Sequence, residues 1–196
     1  MSAVKKIFIC TYEDKPLFSS DMYVPLQVGA AVTGTDLCYL KDNMGDSISG
    51  RNEYYSDISG LYWVWKHVKN VDWVGMFQYR KMIEFGNPDL RHPLPDKISM
   101  SDYVEKYSNI DDTVLEECDV ILSLPMKFSR GESPKWQYDH CHIPDDLRIL
   151  EAVIKERCPE YFASYSNVIN IGKPKQSIPT RITNAFNIFF ILFFQN

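Results

Sequence analysis

Residues 54–81 read YYSDISGLYWVWKHVKNVDWVGMFQYRK, and this stretch decides the fold class. Its first half repeats apolar residues at the spacing of an amphipathic helix, and its second half contains the short apolar run WVGMF. The run ends in Gln78-Tyr79-Arg80-Lys81, so two adjacent cations stand where a buried strand would reach the edge of its sheet. Ligands of open α/β sheets bind at the carboxyl ends of strands, and cations there suit a phosphorylated ligand.

Segments on either side of this stretch continue the alternation of helices and strands. Residues 7–10 and 119–124 are continuous apolar runs, which are typical of strands that are covered on both faces. Residues 186–193 read as a last strand, and Pro144 fits the first position of a helix. Residues 24–32 are compatible with a short helix or with an irregular buried segment. The pattern predicts an α/β fold with a mostly parallel sheet.

Local signals mark several boundaries between these elements. Ser56 is a suitable N-cap for the helix that follows it. Residues 41–53 are polar and read as a loop, and residues 127–140 read as a second, longer loop. Ser101 marks the start of a short helix, and residues 160–168 suggest another.

Composition and charge narrow the class of protein. The chain has 196 residues, of which 45% are hydrophobic and 24% are charged, as in one soluble globular domain. A net charge of −5 leaves no basic footprint for general nucleic-acid binding. Five cysteines without a CxxC pair or a secretory signal predict reduced thiols in a cytosolic protein. The apolar end of the chain is far shorter than the roughly 20 residues that span a bilayer.

No glycine-rich phosphate loop and no GxSxG elbow occur in the chain. Thr11 and Tyr12 end the first predicted strand without a glycine, so a phosphate would have to be held by side chains. Arg80 and Lys81 are the best candidates for this task, and a solvated surface pair is their alternative interpretation.

Three further positions have both a binding and a structural interpretation. Asp57 could accept hydrogen bonds from a sugar or a ribose, or it could serve as a carboxylate in the first turn of a helix. Asp46 follows Gly45 in a loop that a ligand could approach closely, and an Asx turn is the alternative. His140-Cys141-His142 lacks a fourth ligand at a recognisable spacing. We therefore predict no metal site there, and we consider His142 as a residue that lines a ligand cleft.

Together these segments resemble a bacterial polysaccharide-biosynthesis family, long known as a domain of unknown function, with galactofuranosyltransferase-like and other capsular or O-antigen glycosyltransferase members. The matching stretches run in order along nearly the whole chain: KIFICTYEDKP, YVPLQVGAA, GDSISGRNEYYSDISGLYWVWKH, VGMFQYRK, HIPDDL and FNIFFI. The family pattern His-Tyr-Arg-Arg reads Gln78-Tyr79-Arg80-Lys81 here, so an amide replaces the imidazole. The acidic residue at the family's helix start matches Asp57, and its asparagine in the final strand matches Asn187.

The resemblance implies a GT-A-like single domain over residues 1–196, in which helices flank a mostly parallel central sheet. It implies a glycosyltransferase of hexosyltransferase type that uses a nucleotide-sugar donor, for which we expect a UDP-sugar. Asp57 and Arg80 are the candidate catalytic residues. The candidate donor-binding residues are Thr11, Tyr12, Asp46, Tyr79, Arg80, Lys81, His142 and Asn187. No DxD motif follows an apolar strand, which leaves dependence on a divalent metal open.

The expected acceptor is a glycan or lipid-linked glycan, such as a capsular polysaccharide, exopolysaccharide or O-antigen precursor. We expect a cytoplasmic protein, and peripheral association with the cytoplasmic face of the inner membrane is left open. Family members continue past the segment that matches FNIFFI, so the chain is expected to be C-terminally truncated. Two alternatives stay open: a nucleotide-sugar hydrolase or phosphotransferase, and an inactive carbohydrate- or nucleotide-binding remnant.

Overall fold

A computed structural model describes residues 3–82, 99–110, 112, 115, 121, 133–170 and 191–192. The chain forms two compact units, residues 1–122 with 189–196 and residues 123–188. The single domain over residues 1–196 stays a prediction. The predicted strand at 119–124, apart from residue 121, and most of the predicted last strand lie outside the described residues.

The first unit contains a mostly parallel sheet. Its strands are β1 (Lys5–Thr11), β2 (Tyr23–Gln27), β3 (Leu40–Lys41), β4 (Trp73–Gln78) and β5 (Ile191–Leu192). Their order is β3-β2-β1-β4-β5, and all neighbours are parallel except β4 and β5. The apolar runs at 7–10 and 73–77 are thereby confirmed as strands.

The interpretation of residues 24–32 as a helix or an irregular segment was wrong for its first part, which belongs to strand β2. The strand was hard to recognise from the sequence because it contains Pro25, and proline cannot donate a hydrogen bond to a neighbouring strand. In the structure Pro25 pairs with Ile9 of β1, whereas the pairing with β3 begins only at Leu26. Among the described residues, Pro25 therefore has a strand neighbour only on the side of β1.

The described helices of the first unit are α1 (Asn52–Tyr55), α2 (Ile58–His67) and α3 (Met100–Tyr107). Ser56 is not the N-cap of α2. It follows α1 with a φ of 48°, and its backbone N–H donates to the carbonyl of Asn52. The loop predicted from residue 41 to residue 53 also contains a short 3-10 turn, Ser49–Arg51.

The second unit contains α4 (Pro134–Cys141), α5 (Pro144–Arg157) and α6 (Phe162–Ile169). Pro144 at the start of α5 and a helix over most of residues 160–168 are confirmed. The long loop predicted for residues 127–140 is wrong over the range of α4. Ser133 caps this helix by accepting a hydrogen bond from the backbone N–H of Trp136, and Pro134 occupies its first turn.

Both faces of the sheet are covered, as the continuous apolar runs predicted. The side chains of β1 alternate between two clusters, so that Ile7 and Ile9 join one and Phe8 and Cys10 join the other. Trp63 and Val64 of α2 cover the face of Phe8 and Cys10. The opposite face is covered by Tyr103 of α3 with Ile110 and Leu115.

A buried carboxylate joins the loops at the carboxyl edge of this sheet to α2. Asp42, which follows β3, has no exposed surface. Its side chain accepts hydrogen bonds from the backbone N–H groups of Gly29 (3.0 Å) and Ala30 (3.1 Å). It also accepts from the hydroxyls of Ser49 (2.5 Å) and Ser59 (2.7 Å). Four donors thus offset the cost of burying one carboxylate.

Gly60 allows α2 to lie close to the sheet. A Cβ atom at this position would stand 2.7 Å from Cγ1 of Val28 and 3.1 Å from Sγ of Cys10. Any larger residue would therefore push the helix away from β1 and β2.

We expect Asp42→Asn to destabilise the protein by at least about 3 kcal/mol. The NH2 group of the asparagine would face buried hydrogen-bond donors, which would lose their acceptor. The free energy of unfolding from urea melts measures this effect. Asp36→Asn is the matched control, since Asp36 is an exposed partner of Lys41, and its melt should shift far less. Equal shifts for the two variants would contradict the structural role of Asp42.

Gly60→Ala should destabilise the protein by about 1–3 kcal/mol through overpacking, although alanine normally stabilises a helix relative to glycine. Gly50→Ala is the control, because a Cβ atom at Gly50 would meet nothing within 4 Å. In thermal melts, the melting temperature of Gly60→Ala should fall, whereas that of Gly50→Ala should rise or stay unchanged. A stabilised Gly60→Ala variant would show that the helix can move away at no cost.

Candidate functional site

The strand order reverses between β1 and β4, where open α/β sheets bind ligands at their carboxyl ends. From β1 the chain continues to β2 on one side, and β4 lies on the other side. The backbone N–H of Tyr79 donates to the carbonyl of Cys10 at 2.9 Å, which extends the pairing of the two strands by one step. The segments that leave β1 and β4 therefore start side by side.

Tyr79 is the centre of the contacts between these two segments. Its ring meets the ring of Tyr12 edge to face at 5.7 Å, and its hydroxyl donates to Oε1 of Glu13. Oε2 of Glu13 pairs with Nζ of Lys15 at 2.5 Å. Nζ of Lys15 and Cζ of Arg80 lie 5.0 and 5.1 Å from the centroid of the Tyr79 ring. Tyr12, Tyr79 and Arg80, which are three of the predicted residues, are thereby brought together.

The electrostatic surroundings of this cluster shift two pKa values. The ammonium of Lys15 and the hydroxyl of Tyr79 lower the pKa of Glu13. The same hydrogen bond to Glu13 raises the pKa of Tyr79. Glu13 and Lys15 were missed by sequence reasoning, although the charged run TYEDK directly after the strand was a signal.

Asp57 stands immediately before α2 and is half-buried. Its carboxylate makes no capping bond to the helix and instead accepts a hydrogen bond from Nε2 of Gln78, the last residue of β4. Burial raises the pKa of Asp57, and the contact with Gln78 and the charges of Arg80 and Lys81 oppose this rise. Asp57 therefore lies within electrostatic reach of both predicted cations.

Thr11 and Asp46 are both engaged in local structure. Thr11 is fully buried, and its hydroxyl donates to the carbonyl of Glu13 (3.0 Å) and accepts from the N–H of Glu13 (3.1 Å). Asp46 accepts from the hydroxyl of Tyr62 at 2.9 Å and pairs with Lys66 at 3.1 Å. Asp46 is thus bound to side chains of α2, and a ligand contact of Asp46 stays a prediction.

The other predicted residues lie elsewhere. His142 is exposed in the second unit, where its ring lies 4.7 Å from that of Tyr138, and its ligand contact stays a prediction. Asn187 lies outside the described residues. Within the described part of the chain, no three His, Cys, Asp or Glu side chains are grouped so that they could hold a metal ion. Among the same residues, no helix is long and apolar enough to cross a membrane.

The contact between Asp57 and Gln78 leads to a prediction about the pKa of Asp57. Nuclear magnetic resonance of the Asp57 carboxyl carbon should give a pKa above the ordinary value of 3.8. Gln78→Ala should raise this pKa further, because it removes a donor to the charged form. Gln78→His should lower it, because the imidazolium adds a positive charge.

The matched control for both variants is Asp36, whose pKa is lowered by Lys41 and by the backbone N–H of Cys38. The pKa of Asp36 should not respond to either change at Gln78. A pKa of Asp57 that is the same in all three proteins would show that Gln78 does not contact the carboxylate in solution.

Comparisons with known proteins identify the family of this chain and a solved structure of similar fold. The family described as "Domain of unknown function (DUF4422)" matches residues 6–184, and no curated protein matches the chain. The structure of the apo form of WbbM, a bifunctional glycosyltransferase, superposes with a TM-score of 0.69 at 20% identity. This match covers 97% of the present chain and 34% of the WbbM chain, so the protein spans about a third of that structure.

The structural match confirms the predicted fold class, a mostly parallel α/β sheet flanked by helices, like that of a glycosyltransferase. The family match extends over most of the sequence and includes β2, β3, β4 and all but the first residue of β1. The protein therefore belongs to the DUF4422 family.

Proposed function

We propose that this protein is a glycosyltransferase that moves a sugar from a nucleotide-sugar donor, a UDP-sugar, to a bacterial surface polysaccharide precursor. One observation carries the proposal: Arg80 and Lys81 follow β4 at the point where the strand order reverses, within electrostatic reach of Asp57. The fold likeness to a bifunctional glycosyltransferase supports it.

The cations match the leaving group of this reaction. Transfer breaks the bond between the anomeric carbon and a phosphate oxygen, so negative charge develops on the departing nucleoside diphosphate. Stabilising such developing charge is a major source of catalysis. The guanidinium of Arg80 can hold two phosphate oxygens at once, whereas the ammonium of Lys81 acts as a point charge.

Asp57 is suited to the hydroxyl groups that take part. Burial raises the pKa of its carboxyl, and a carboxylate of higher pKa is a stronger base. We assign it to accept a hydrogen bond, and then the proton, from the acceptor hydroxyl whose oxygen attacks the anomeric carbon. Gln78 would hold the carboxylate in place before the acceptor arrives.

Tyr12 supplies an exposed aromatic surface next to the phosphate-binding residues. Its side chain is 51% exposed, and its ring is supported by the edge-to-face contact with Tyr79. Exposed aromatic rings stack on nucleobases without requiring a particular base. We therefore assign Tyr12 to the nucleobase of the donor. The choice of a UDP-sugar, a lipid-linked acceptor and a cytoplasmic location at the inner membrane rests on the family resemblance.

A second candidate is a protein that binds the donor without turning it over. The observation in its favour is Gln78. Its amide cannot act as an acid or a base, and it already donates a hydrogen bond to the carboxylate of Asp57. Incubation with UDP-, GDP- and dTDP-sugars distinguishes the functions. Sugar transfer to a glycan acceptor supports the proposal, whereas donor hydrolysis alone indicates a hydrolase and binding without reaction indicates a remnant.

Arg80→Ala should weaken binding of the preferred donor about tenfold to a hundredfold, because a charge-assisted contact is worth about 1.5–3 kcal/mol. Isothermal titration calorimetry measures this change. Lys69→Ala is the control, since Lys69 is an exposed cation between α2 and β4, and its affinity should change by less than about twofold. Equal losses in the two variants would show that the donor responds only to overall charge and would refute the assignment.

A further inference from the structure

We propose that the carboxylate of Glu13 occupies an anion-binding site built by Lys15, Tyr79 and Arg80, and that a phosphate group of the ligand displaces it. The inference rests on the proposed function for the identity of the ligand, a nucleoside diphosphate or its sugar ester. The anion site itself stands on the contacts of the free protein.

The two oxygens of Glu13 are bound separately by two different groups. Oε1 accepts from the hydroxyl of Tyr79, and Oε2 pairs with Nζ of Lys15 at 2.5 Å. Arg80 lies over the same tyrosine ring at 5.1 Å, and its charge acts on Glu13. A hydroxyl donor and two cations that surround an acceptor with two oxygens are also what a phosphate group requires.

The location of Glu13 and Lys15 indicates that the carboxylate is an anion that a ligand can replace, and not half of a structural ion pair. Glu13 and Lys15 belong to the segment that leaves β1 at the reversal of strand order, where ligands of open sheets bind. Their side chains are 34% and 53% exposed. Ion pairs that solvent reaches contribute little to stability, so a phosphate with a larger charge can displace the carboxylate at little cost.

The backbone provides a means for the carboxylate to leave. Thr11 fixes the start of the turn by bonding to the N–H and the carbonyl of Glu13, and the N–H of Lys15 donates to the same carbonyl at 3.0 Å. The main chain of Glu13 is thus held, so that only rotation of its side chain is needed for the carboxylate to leave Tyr79 and Lys15. Lys15 would stay in place and contact the incoming phosphate.

Two consequences follow for the affinity of the site. The carboxylate competes with the ligand for the same donors, and its charge repels a phosphate that approaches. Removing this charge should therefore tighten binding, whereas a purely structural Glu13 would give weaker or unchanged binding. Lys15 becomes a phosphate-binding residue from β1 that complements the cations from β4.

The test is isothermal titration calorimetry on the full chain with two probes, inorganic pyrophosphate and UDP. Glu13→Gln should bind both probes about fivefold more tightly than the unaltered protein, since one like charge nearby is worth about 1 kcal/mol. Asp14→Asn is the matched control: it removes the same charge from an exposed neighbour and should change affinity by less than about twofold. Lys15→Ala should weaken both.

The outcomes separate this inference from the proposed function. Binding of UDP that is unchanged or weakened in Glu13→Gln, with a normal thermal melt, overturns the inference and leaves the function standing. An equal gain in Asp14→Asn also overturns it, because the effect would then be general repulsion. Tighter pyrophosphate binding by Glu13→Gln without any UDP binding supports the anion site and contradicts the proposed function. Failure of every protein to bind either probe overturns both.

Discussion

The burial of the Asp42 carboxylate is the constraint on which the rest of the first unit depends. Its four hydrogen bonds fasten the turn after β2, the 3-10 turn at Ser49 and the first turn of α2 to one point. Because Ser59 is one of the donors, the start of α2 cannot move along the sheet without leaving a buried charge unsatisfied. Asp57, two residues earlier, is thereby held beside the end of β4, where Gln78 reaches it.

Acidic and basic side chains lie close together at the point where the strand order of the sheet reverses. Two carboxylates there have opposite surroundings, since burial raises the pKa of Asp57 while Lys15 lowers that of Glu13. Environments that separate two pKa values in this way assign different roles to two chemically similar groups. The lowered pKa favours the charged form of Glu13, whereas the raised pKa makes the carboxylate of Asp57 the stronger base.

The sequence predicted the elements with a clear apolar pattern and missed those without one. The buried strands at 7–10 and 73–77 were recognisable because both of their faces are apolar. Helix α4 was missed because none of its residues is buried, so it carries no apolar stripe. Arg80 was predicted as a site residue from its position after a strand, and the structure places it over the ring of Tyr79. Asp46 was considered for ligand binding because it follows Gly45 in a loop, and its carboxylate contacts Tyr62 and Lys66 of α2.

Gln78 shows how one substitution can alter the chemistry of a site without altering its fold. The family pattern that the sequence resembles has histidine at this strand end, and a protonated imidazole beside Asp57 would hold the carboxylate in its charged, weakly basic form. The neutral amide makes the same kind of hydrogen bond with less electrostatic stabilisation. Asp57 is then a stronger base, and the positive charge at the strand end comes from Arg80 and Lys81. Under the proposed function, proton acceptance and stabilisation of the leaving group then fall to separate residues at one end of β4.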